Sequence, residues 1–243
     1  MKRMKPDYSL FSDRGSRAVN EDYADAFFRR GASCFVLCDG LGAHGMGDRA
    51  SRFVTQFIKR EFAKSSGLAS LETVLPRAQE ALRAEQVRLG AVGRMRTTAV
   101  VLLLDGSSGM CVHIGDSRLY RFRGGELLSR TRDHSVPQML ALTEEIEESE
   151  IRSHPDRSKL LRALGDERET IKYETARFDV RAGDVFLLCS DGFWEPVTED
   201  EMISLLRESA NAKQWLSRMS RLAARNSAGK LMDNYTAVAV FIK

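Results

Sequence analysis

The sequence predicts a domain of antiparallel sheets flanked by helices. Three observations lead there. Apolar strand-like runs follow one another directly, at residues 99–104 and 110–114. Gly124-Gly125 separates residues 119–123 from 126–129, a hairpin signal because both turn positions tolerate positive φ. Helical periodicities come in separate pairs rather than alternating with strands, which disfavours a doubly wound parallel sheet.

The elements follow in order. Residues 24–28 form a possible early strand, and residues 34–38 read as a buried strand ending at Asp39-Gly40. Ala50, Phe53, Val54, Phe57, Ile58 and Phe62 recur at helical spacing, which predicts an amphipathic helix over 48–62. Leu71, Leu75, Ala78 and Leu82 predict a second, capped by Ser70 or Thr73. After the central strands, residues 184–189 form another apolar strand that ends at Ser190-Asp191-Gly192. Thr198 and Glu201 make a capping box for a helix carrying Met202, Leu205 and Leu206. Trp215, Leu216, Met219, Leu222 and Ala223 mark one more helix, and residues 237–242 close the chain as a strand.

Composition bounds the function. A length of 243 residues without a visible linker favours one domain over 1–243. The 37 basic and 34 acidic residues leave a net charge of +3, too balanced for a nucleic-acid binder. The longest apolar runs have six residues, against roughly 20 for a membrane-spanning helix, so no membrane association is expected. The basic start of the chain precedes no long apolar stretch, so the expected location is the cytoplasm. Cys34, Cys38, Cys111 and Cys189 form no C-x-x-C pair and read as small buried hydrophobes in a reducing compartment. One segment stands apart: residues 143–156 carry six acids and one strong base, Arg152. It reads as a solvated surface or as a mobile insertion beside a partner-selecting site.

Several chemistries lack their motifs. There is no P-loop, no G-x-G-x-x-G and no G-x-S-x-G elbow, and no cysteine precedes an arginine at the spacing of a thiol-based phosphate loop. What remains is carboxylates at element ends: Glu21-Asp22, Asp39-Gly40, Gly115-Asp116, Asp191-Gly192 and Asp233-Asn234. Singly, each Asp-Gly reads as a turn. Together they suggest a hard oxygen site suited to Mg²⁺ or Mn²⁺. Arg17 adds a guanidinium fork for a phosphate, so the set points to metal-assisted phosphoester hydrolysis.

The motifs, in order, are Ser12-Asp13-Arg14-Gly15, Arg17-Ala18-Val19-Asn20-Glu21-Asp22, Cys38-Asp39-Gly40-Leu41-Gly42-Ala43-His44 and Gly47-Asp48-Arg49-Ala50-Ser51. They continue with Thr97-Thr98, Ile114-Gly115-Asp116-Ser117-Arg118, Asp133-His134-Ser135, Arg162-Ala163-Leu164-Gly165, Leu188-Cys189-Ser190-Asp191-Gly192 and Asp233-Asn234-Tyr235-Thr236. In this order and spacing the chain resembles the metal-dependent protein phosphatases of type 2C, the PPM family, in its bacterial stand-alone Ser/Thr form. The resemblance implies an α+β, four-layer α-β-β-α sandwich with two antiparallel sheets and a flap insertion at about 135–156.

It also implies roles. Asp39 would bridge two metal ions, Mn²⁺ or Mg²⁺. Asp191 and Asp233 would complete the first, while Glu21 and the Gly40 carbonyl would serve the second. Asp116 with Asp191 would hold a weaker third. Arg17 would bind the substrate phosphate, and a metal-activated water would hydrolyse phosphoserine or phosphothreonine with Arg17, Asp39 and Asp191 as the catalytic set. Partners would be phosphorylated proteins, a bacterial Ser/Thr kinase and its substrates, with regulation of type VI secretion as one setting by analogy. Leu41 stands where some members carry a histidine, so His44 or a metal-bound water is left as the acid for the leaving group. The alternative is a non-catalytic relative that binds and regulates a partner protein.

Overall fold

A computed structural model describes residues 6–42, 45–167 and 170–243. Among the described residues the strands form two five-stranded antiparallel sheets. The first has the order β1 (Pro6–Asp13), β10 (Tyr235–Ile242), β9 (Asp184–Cys189), β6 (Arg118–Arg123) and β7 (Glu126–Arg130). The second runs β2 (Asp22–Arg29), β3 (Ala32–Asp39), β4 (Ala99–Asp105), β5 (Ser108–Ile114) and β8 (Glu174–Asp179).

The central strands are apolar throughout because both their faces are covered, which is why they read as continuous runs rather than alternating patterns. In β3, Cys34, Val36 and Cys38 pack under helices while Phe35 and Leu37 face the other sheet. In β9, Val185, Leu187 and Cys189 meet the opposite helix layer while Phe186 and Leu188 fill the space between sheets. The helices outside the second sheet are α1 (Gly47–Lys64), the short α2 (Leu68–Glu72) and α3 (Val74–Arg88). Those outside the first are α5 (Asp191–Trp194), α6 (Glu199–Arg207) and α7 (Ala212–Asn226). The result is the four-layer sandwich that the resemblance implied. All four cysteines are buried and free, as expected of small hydrophobes.

Local signals hold at several points. Gly124 and Gly125 have φ of 60° and 78°, and they join β6 to β7. The Thr198–Glu201 box is closed in both directions: Glu201 N donates to Thr198 Oγ1 and Thr198 N donates to Glu201 Oε2. The second predicted helix is in fact two. The chain breaks at Thr73, whose side chain makes no cap bond, and Ser70 lies inside α2, donating back to Ser65 O and Gly67 O. No described helix is long and apolar enough to cross a membrane.

The acidic stretch is folded. Ser135 caps α4 (Val136–Leu142), and a 3-10 helix spans Glu148–Ser153 with its own Glu147–Glu150 capping box. Ile151 is buried. Arg152 donates from Nη1 to the carbonyls of Trp194, Glu195 and Val197 and from Nη2 to Glu199. Glu148 pairs with Arg130. The excursion is closed at its base by a Ser135–Leu160 bridge.

Candidate metal centre

The chain changes sheets between β1 and β2 and again between β5 and β6. Both crossings lie at the end of the sandwich where β3 and β9 finish and β10 begins. The first crossing carries Arg17 and Glu21, and the second carries Asp116. Asp39 closes β3, Asp191 follows β9 and Asp233 precedes β10. Topology thus gathers residues up to 216 positions apart.

One cleft, of about 840 Å³, is lined by Arg17, Glu21, Asp39, Gly40, Asp116, Asp191 and Asp233 together. These are the seven residues to which the resemblance gave metal-holding or phosphate-binding roles. Leu41 also lines the cleft, as do Val136, Ser158, Lys159 and Leu160 from the excursion. His44 and Ala43 lie outside the described residues.

The loops approach closely. A Cβ on Gly192 would lie 2.2 Å from the Asn234 carbonyl oxygen, so glycine beside Asp191 lets the Asp191 and Asp233 loops meet. Asn234 ties the crossing loop to them. Its Oδ1 accepts from Glu21 N (2.8 Å), and its Nδ2 donates to Arg14 O (2.9 Å) and Val19 O (3.0 Å). Arg17 donates through Nε and Nη2 to the two oxygens of Asp233 (2.9 and 2.6 Å).

The electrostatics are those of crowded acids. Burial, then repulsion from Asp22, Asp191, Asp116 and Asp233, holds the Asp39 carboxyl well above its ordinary range. Asp116 is held up by burial and by Asp191. Asp191 is pushed to about 6 by burial and Asp233, although the Gly192 N–H, donating to its Oδ1 at 2.6 Å, draws it down. Glu21 is raised by burial and by Asp48. Asp39 and Asp191 line the same cleft, and Asp191 adds to the negative charge around Asp39, a crowding that a bound cation would relieve. The donor set, carboxylate oxygens and the Gly40 carbonyl, fits a hard divalent cation such as Mn²⁺ or Mg²⁺.

Sequence reasoning gave no role to Asp22. It faces Asp39 across the β2–β3 ladder, and its Oδ2 accepts from Ser190 Oγ (2.7 Å). It is 5% exposed, and burial pushes its carboxyl to about 7. Its place beside Glu21 was the only sequence signal. Glu195 was also missed. Burial and Asp191 push it to about 7, and it accepts from Arg157 Nε at 3.0 Å.

A pH dependence follows. In the unfolded chain these carboxyls titrate near 4. In the metal-free fold Asp191 and Asp22 titrate at about 6 and about 7. Between those values the native state binds more protons, so their contribution to stability is full below about pH 4 and is lost as pH rises towards 7. A bound cation needs the ionised forms. Mn²⁺ is therefore expected to raise the melting temperature more at about pH 7.5 than at about pH 5, each measured against a chelator control. Equal stabilisation at both would show that the acids do not bind the ion.

Comparison with known proteins agrees with this geometry. The family model described as protein phosphatase 2C matches residues 12–233. The serine/threonine protein phosphatase PstP of Mycobacterium tuberculosis is 36% identical over 236 residues, covering 95% of this chain and 44% of that protein. The chain thus spans less than half the length of that relative. A crystal structure of a PstP catalytic domain in complex with two manganese ions superposes with a TM-score of 0.84 at 30% identity, covering 98% of this chain and 99% of that one. PppA of Pseudomonas aeruginosa, described as a key regulatory component of the type VI secretion system, superposes at 0.79 with 31% identity and 98% coverage of both chains. With the profile match running through every acid of the cleft, the chain belongs to the protein phosphatase 2C family.

Proposed function

We propose that this chain is a metal-dependent protein serine/threonine phosphatase, a single domain in which residues 135–156 form a flap over the cleft. One observation carries the reading: the seven residues marked by motif alone line one cleft. Asp39, Asp191 and Asp233 would hold one ion, and Asp39, Glu21 and the Gly40 carbonyl a second. Asp116 with Asp191 would hold a weaker third. The manganese-bound PstP domain supports two ions of this kind. Bound Mn²⁺ or Mg²⁺ supplies an activated water and neutralises phosphate charge.

The chain's own groups do the rest. Arg17 is mostly exposed, and Asp233 fixes its Nε and Nη2, leaving Nη1 to meet a phosphate oxygen. Asp233 thereby orients the guanidinium while serving as a ligand. Leu41 lines the cleft and, being apolar, supplies no proton to a leaving group itself. Val136, Ser158, Lys159 and Leu160 give the cleft an outer wall to meet the residues around a phosphoserine or phosphothreonine. Substrates are phosphoproteins, and the opposing activity is a bacterial Ser/Thr kinase. PppA's description supports type VI secretion as one setting.

The test is hydrolysis of p-nitrophenyl phosphate and of a phosphothreonine peptide with Mn²⁺, with Mg²⁺ and with EDTA. Turnover of both with metal, abolished by EDTA, is expected. A folded protein inactive with every metal would leave a partner-binding regulator as the function.

A further inference from the structure

Outside the metal cleft, His113, His134 and Glu174 bring possible ligand atoms within 4.8 Å of one another. The geometry argues against a second metal there. The two imidazoles stack with centroids 4.9 Å apart and planes 8° from parallel, so their lone pairs do not converge on one point. His113 Nε2 lies 2.9 Å from Arg132 O and must donate, because a carbonyl only accepts. His134 Nδ1 accepts from Gly115 N at 3.1 Å, so the ring proton sits on Nε2. That Nε2 is buried without a hydrogen-bond partner, with Glu174 Oε1 3.5 Å away.

His134 makes two further bonds. Its backbone N donates to Gly115 O at 2.9 Å, which closes a reciprocal pair around Gly115. Its carbonyl accepts from Leu161 N at 2.8 Å, at the root of the excursion, where Val136 N also donates to Lys159 O. Gly115 immediately precedes Asp116, and Trp194 Nε1 fixes the other side by donating to Asp116 O at 3.0 Å. Burial and the neighbouring His113 push His134 down to about 4, so the ring stays neutral and Nδ1 stays an acceptor near neutral pH.

We propose that His134 is a positioning residue that sets the Asp116 turn and fastens it to the root of the flap. The proposal rests on the reading of Asp116 as a ligand of the weaker ion. The sequence pattern Gly115-Asp116 and Asp133-His134 then has a mechanical meaning: one segment clamps the other, and the same segment starts the flap.

The test compares His134→Phe, which keeps the ring but has no acceptor, with His134→Asn, whose side-chain oxygen can stand where Nδ1 stands. The readouts are the Mn²⁺ concentration for half-maximal hydrolysis and the melting temperature. The Phe variant should need about tenfold more Mn²⁺ at a near-unchanged melting temperature, the size typical of losing an outer-shell contact. The Asn variant should recover most of that loss. A wild-type Mn²⁺ curve in the Phe variant, or no recovery in Asn, would overturn the proposal. Ring ¹⁵N shifts of His134 in the wild-type protein test it without any variant: a bare Nδ1 and a protonated Nε2 are expected, and a protonated Nδ1 would overturn it. Asp116→Asn, run alongside, separates the two layers. An unchanged Mn²⁺ curve there would overturn the ligand reading, while the ring shifts still decide whether His134 clamps Gly115.

Discussion

Asp39→Asn should abolish metal-dependent hydrolysis, by at least about 100-fold, while leaving the metal-free fold as stable as the wild type or more so. The two effects have opposite sign for one reason. Asp39 stands at the centre of the acids, and Asp22, Asp191, Asp116 and Asp233 all raise its pKa. Without a cation this crowding costs stability, and asparagine relieves it with nearly the same shape. With a cation, the same position would supply negative charge to hold it, as the proposed function requires. Thermal melts in EDTA and turnover with Mn²⁺, on the same two proteins, check both halves. Wild-type turnover in the variant would remove Asp39 from the metal centre. A large loss of metal-free stability would mean that its role is structural instead.

Asp133→Asn is expected to cost about 3–5 kcal/mol, a drop in melting temperature on the order of 10 °C. Arg118 is 2% exposed and donates from Nε and Nη2 to both oxygens of Asp133, at 2.8 and 2.7 Å. Its guanidinium lies 3.4 Å from the Trp194 ring centroid and its Nη1 reaches Tyr120 Oη at 2.9 Å. Removing the carboxylate charge leaves a buried cation whose next acidic group, Glu199, is 3.7 Å away. Breaking a buried pair from one side is far more costly than replacing both partners. The double variant Arg118→Met with Asp133→Leu should therefore recover much of the loss. Chemical denaturation of the three proteins checks this, and a single variant within about 1 kcal/mol of wild type would show that the pair is not strongly coupled.

Much of the fold was legible because its signals are local. Strands covered on both faces show as unbroken apolar runs, as in β3, β4, β9 and β10. The Gly124-Gly125 turn and the Thr198–Glu201 box are each complete within a few residues. The strands that escaped notice, β1 and β8, are the outer strands of their sheets. Five of the six β8 residues are exposed, and β1 alternates half-buried and exposed positions, so neither presents a continuous apolar run. Thr73 does stand at the start of α3, one of the two cap positions the sequence offered, but the separate α2 before it was missed because the leucine spacing continues through the break.

By itself the sequence marked the acids that line the cleft, through motifs whose order and spacing are specific, and the type and place along the chain of most elements. Only the tertiary structure decided what those acids meet. The pairing of Arg17 with Asp233, the facing of Asp22 and Asp39, the mutual repulsion of Asp39 and Asp191, and the grip of His134 on Gly115 all join segments from different elements. The physical reason is range. Periodicity, turns and caps act over a few residues along the chain. The charge and hydrogen bonding of a buried site act over a few ångströms of space, and here two sheets must pack before those ångströms exist.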